Sequence, residues 1–136
     1  MKCIFDVLVI ASLILGSLNA SSKTSDVDAF QSCLNRTKQD RLNCEAGCGM
    51  IIQQCYDEGI ENANREIGLL ISDLKSENGD MCANFAAMYL DDASRMEKEV
   101  VKKTDSLPGW VGSVMRLNFA RQRLDNVKSI RETCKQ

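Results

Sequence analysis

The residues of this chain with the most chemistry to offer are its cysteines. Six of them, Cys33, Cys44, Cys48, Cys55, Cys82 and Cys134, lie beyond the first 20 residues, with ten residues between Cys33 and Cys44 and ten between Cys44 and Cys55. Thiols can ligate a metal, attack an electrophile or pair with one another. No metal site is expected, because the chain has no histidine and the spacing lacks two clean two-residue cysteine pairs. An even number of thiols in an oxidising compartment pairs, so three disulfides are the expectation, and paired sulfurs are not nucleophiles.

The compartment follows from the N-terminus. Lys2 precedes an apolar run from Val7 to Leu15, and small or polar residues follow through Leu18-Asn19-Ala20. This is the layout of a secretory signal over residues 1–20, cut after Ala20, and the apolar run is shorter than the roughly 20 residues of a spanning helix. Cleavage removes Cys3 and leaves residues 21–136, 116 residues in all, enough for a single helical, disulfide-rich domain. The mature chain is expected to be secreted or periplasmic, with no transmembrane segment. Without the signal it carries 16 basic and 18 acidic residues, so it lacks the basic excess that drives nucleic-acid binding.

Candidate acid–base groups are few. Asp57-Glu58-Glu61 and Asp91-Asp92 cluster carboxylates, but they fall off the apolar stripes and read as solvated faces. With the commonest general base missing as well, no catalytic residue, no enzyme activity and no cofactor are expected. Met81, Met88, Met96 and Met115 could line an adaptable groove, although methionine at helical spacing reads first as core filling. Trp110, in Pro108-Gly109-Trp110-Val111-Gly112, is the candidate partner-binding residue, since tryptophan is enriched at binding hot spots. Packing over the end of the fold is its competing role. Asn35-Arg36-Thr37 fits the N-glycosylation pattern, which matters only in a eukaryotic secretory route.

The elements that must position these residues are helices. One proline and few aromatic residues, beside many good helix formers, disfavour strands. Apolar residues at three- and four-residue steps predict a first helix over 25–42, capped by Ser25, and a second over 46–75, stopped by Asn78-Gly79. Asp80 caps a third, with a stripe of Met81, Cys82, Phe85, Met88, Tyr89, Ala93, Met96 and Val100, closed by Lys102 and Lys103. A fourth begins near Pro108 and carries Trp110, Val111, Val114, Leu117, Ala120, Leu124, Val127 and Cys134 on one face. Short connections between sequential helices predict an all-α, antiparallel four-helix bundle braced by disulfides.

Cysteine placement constrains that bundle. On one unbroken helix Cys33, Cys44, Cys48 and Cys55 would point the same way, because offsets of 11, 15 and 22 residues lie near whole turns. The helix must therefore break near Asn43-Cys44, where Gly47 and Gly49 weaken it. A turn centred on Cys44 sets Cys33 beside Cys55, lets Cys44 pair with Cys48 and leaves Cys82 to meet Cys134. Six cysteines allow 15 connectivities, and this one is chosen on geometry.

The second helix also carries a family resemblance. Gln54-Cys55, Ala63-Asn64, Ile67, Ile71 and Leu74 resemble the LprI-type lysozyme-inhibitor-like domain family, exported bacterial helical proteins whose pattern runs Gln-Cys, Ala-Asp, Leu-Asn, Tyr, Leu at matching spacing. Gln122, Arg123, Arg131 and Cys134 resemble that family's closing Gln-Arg, Trp, Arg, Cys block. Asn64 stands where the family has Asp, Gly68 where it has Asn and Ile71 where it has Tyr, and the block's tryptophan has no counterpart. The resemblance implies a protein partner, a lysozyme or another cell-wall-lytic enzyme, that is bound and inhibited. A secreted carrier of a small apolar ligand or lipid is the alternative from a different class.

Overall fold

A computed structural model describes residues 28–104 and 106–135. The predicted signal segment and the proposed Ser25 cap lie outside the described residues. Five helices follow one another: α1 (Ala29–Arg36), α2 (Lys38–Leu42), α3 (Cys48–Asn78), α4 (Asp80–Thr104) and α5 (Val111–Cys134). Among the described residues there is no strand, so the fold is all-α.

Local chemistry explains the boundaries. The Asp28 carboxylate accepts a hydrogen bond from the Phe30 N–H at 3.1 Å and caps α1. The predicted first helix is divided at Thr37, whose hydroxyl donates to the Cys33 carbonyl at 2.8 Å beside the backbone N–H bond to the same oxygen at 2.9 Å. Five residues past the end of the short α2, Gly47 adopts a left-handed φ of 76° at the N-cap of α3. The break expected near Asn43-Cys44 is therefore present. Gly79, at φ 78°, makes the turn into α4, a conformation that side chains with a Cβ resist.

Cross-helix pairs set the directions. Gln53 meets Ser113, Asn64 meets Arg123 and Asn78 meets the Cys134 carbonyl, so α3 and α5 run parallel in register. Glu97 meets Arg123, Tyr89 meets Asn126 and Cys82 meets Cys134, so α4 runs antiparallel to α5. The backbone of α1 lies against α3 and not α4. An up-down bundle would separate its second and fourth helices across a diagonal; here α3 and α5 pack side by side. The arm α1–α2 is too short to fill the corner between them, so three long helices form the body and the arm clasps one side.

Within that body the buried residues are Ala63, Ile67, Leu70, Leu74, Ala83, Ala86, Ala120, Leu124 and Val127. Alanine at four of these nine positions lets the helices approach closely. Gly59 does the same for the arm: a Cβ there would lie 2.8 Å from Leu117 and 3.1 Å from Phe30. One ion pair, Glu97 with Arg123, is set into the α4–α5 seam, and Asn64 accepts a second guanidinium hydrogen bond at 2.9 Å. Burial lowers the Arg123 pKa from its ordinary value, while Tyr89 opposes that shift. Buried charges persist only when partnered in this way.

Candidate protein-binding surface

All six cysteines among the described residues are paired, as Cys33–Cys55, Cys44–Cys48 and Cys82–Cys134. The first ties α1 to α3 with a Cα separation of 5.2 Å, and both residues are fully buried. The second clips the α2–α3 turn across four residues, and the third joins the start of α4 to the end of α5. Together they brace the scaffold on which the remaining side chains are displayed.

Trp110 sits immediately before α5. Its ring stacks on Tyr56 at 5.9 Å between centroids, and Tyr56 in turn meets Phe30 at 4.7 Å. Gly49 passes beneath the indole, close enough that an added Cβ would touch the ring at 3.5 Å. Trp110 is thus fixed by packing yet remains 37% exposed. It packs over the end of the fold and leaves part of its aromatic surface open there. Met50 in the first turn of α3, Leu107 in the preceding connection, and Val111 and Val114 in the first turn of α5 are exposed at this same end.

A second apolar surface lies on α4. Met81, Phe85, Met88 and Met96 are all more than half exposed, reaching 83% at Met81. The methionine stripe read as core is therefore not core, and Met115 alone of those four candidates is half-buried. The inward face is built from Ala83, Ala86 and Ala93 with Glu97. Alanines line the narrow seam against α3 and α5, Tyr89 and Leu90 pack at its edge, and Met81, Phe85, Met88 and Met96 turn outward. Spacing of these alanines by three and seven residues is the sequence signal for the true inner face.

The carboxylate clusters are placed on the surface. Asp57 and Glu61 are exposed, and Asp91 and Asp92 both pair with Arg95 on their own helix. Glu58 accepts two hydrogen bonds from Arg36, at 2.7 and 2.9 Å, which hold its pKa below the ordinary carboxylate value. No acid–base dyad is assembled from them. Among the described residues no group of three or more Cys, Asp or Glu side chains is placed to hold a metal.

A cleft of about 260 Å³ runs between α3 and α5, floored by Gly59, Ala63 and Leu124. Two ion pairs line it, Arg121 with Asp28 and Lys128 with Glu66 at 3.5 Å, and Asp125 adds a further carboxylate. No helix among the described residues is long and apolar enough to cross a membrane. The chain matches no protein-family model, no curated protein and no solved structure.

Proposed function

We propose that this chain is an exported module that binds a protein partner through the end of the fold bearing Trp110, and that it does so stoichiometrically, without turnover. The observation that carries the reading is the indole held on Tyr56 with more than a third of its surface open, at an end of the fold where Met50, Leu107, Val111 and Val114 are exposed as well. A ring immobilised before binding loses little freedom on docking, which favours affinity. Three disulfides support export to a secreted or periplasmic compartment.

A lysozyme or related cell-wall-lytic enzyme is the partner we propose, on the resemblance carried by α3 and the end of α5. Net charge of −2 suits a basic enzyme. The alanine-lined seam between α3, α4 and α5 leaves a lipid tail little room, which favours the surface-binding reading over the carrier. The test is a cell-wall lysis assay titrated with the oxidised protein, run beside displacement of a fluorescent fatty acid. Inhibition saturating near one equivalent is expected. Fatty-acid displacement without inhibition would overturn the proposal in favour of the carrier.

A further inference from the structure

We infer that the outer face of α4 is a self-association surface on which a second copy of this chain docks antiparallel. The face is independent of the Trp110 end and lies opposite the alanine stripe that packs on α3 and α5. Met81, Phe85 and Met88 follow at intervals of four and three residues, and Met96 continues the same side two turns later. At 1.5 Å per residue the stripe extends about 22 Å along the helix. With exposed fractions of 83%, 54%, 58% and 54% these are the most numerous large apolar side chains left open on one element, and Asp92, paired with Arg95, is set among them between Met88 and Met96. Methionine supplies adaptable contact surface.

The charge pattern selects the occupant. Asp80 is the acidic residue of the first turn of α4, whereas Lys102 and Lys103 occupy its last turn and Lys98 lies one turn earlier. A parallel copy would set acid beside acid and lysine beside lysine. An antiparallel copy, related by a two-fold axis near Met88, places Asp80 of each chain on the same flank as Lys98 of the other. It also puts Met81 opposite Met96, and Met88 beside its own equivalent. Phe85 then falls opposite Asp92 of the other chain, whose ion pair with Arg95 puts a guanidinium plane within a turn of the ring. The surface is complementary to itself, as a two-fold contact requires.

Sedimentation equilibrium of the oxidised exported chain tests this, across about 1 μM to 1 mM. A monomer–dimer equilibrium is expected. Met88→Glu should raise the dimer dissociation constant at least 30-fold without loss of helical circular dichroism, since the residue points outward. Asp80→Lys alone should weaken the dimer, and adding Lys98→Asp in the same chain should restore it. A monomer throughout that range would overturn the proposal, as would a dimer indifferent to Met88→Glu. Failure of the double charge swap to restore association would overturn the antiparallel arrangement. A monomer that instead binds neutral phosphatidylcholine vesicles through Met88 would assign the face to lipid. None of these outcomes depends on lysozyme inhibition, so they separate from the proposed function.

Discussion

The two ends of the long-helix body are bridged across loops of very different length. Where α3 turns into α4, the links join residues remote in sequence: Cys82 to Cys134 across 52 residues, Asn78 to the Cys134 carbonyl, and Arg131 to Glu77 and Asp73. At the Trp110 end the bridges close shorter loops, four residues for Cys44–Cys48 and 22 for Cys33–Cys55, and the links of longest range, Ser113 to Gln53 and Trp110 to Tyr56, are not covalent. Links that close the longest loops remove the most freedom from the unfolded chain, so the Cys82–Cys134 bridge contributes more to the stability of the body than either bridge at the Trp110 end. A small domain braced by such a bridge can keep apolar groups exposed without losing its fold.

Removing the disulfides one at a time breaks the comparison most severely. In the loop-entropy account Cys82→Ala/Cys134→Ala costs about 4 kcal/mol, and Cys44→Ala/Cys48→Ala about half of that. Denaturant titration of the two variants checks the order, and equal losses would contradict it. A smaller effect sharpens the same contrast through pH. The Glu58 pKa is lowered in the folded state by Arg36, so the pair stabilises the α1 arm above the unfolded carboxyl value of about 4.3. That contribution fades as pH falls through the lower folded value. The unfolding midpoints of wild type and Glu58→Gln should therefore differ near neutrality and converge on acidification, whereas a gap constant down to pH 2 would remove Glu58 from the account.

Much of the scaffold was legible in the sequence because cysteine spacing and glycine placement are local constraints. Ten residues on each side of Cys44 force a hairpin, and Gly47 supplies the left-handed residue at the N-cap of α3. The orientation of α4 was not legible from apolar size, since Ala83, Ala86 and Ala93 weigh little in a stripe of methionines yet decide which face fits the seam. The division at Thr37 goes with a hydroxyl bonding back to Cys33, an option open to any helical threonine. Side-by-side packing of α3 and α5 depends on how little of the fourth corner the arm fills, a tertiary property with no local signature. Trp110 was visible as a candidate from its type and its glycine-flanked corner; the stack on Tyr56 that fixes it was not, because the two lie 54 residues apart.

The central claim, that the Trp110 end docks a protein, is tested most directly by calorimetric titration of lysozyme with the oxidised protein and with Trp110→Ala. Burial of a tryptophan at a hot spot is worth about 2 kcal/mol or more, so one-to-one binding by the wild type should weaken about 30-fold in the variant while its helical circular-dichroism signal persists. Equal affinities of the two proteins, or no heat of binding from the wild type, would contradict the account.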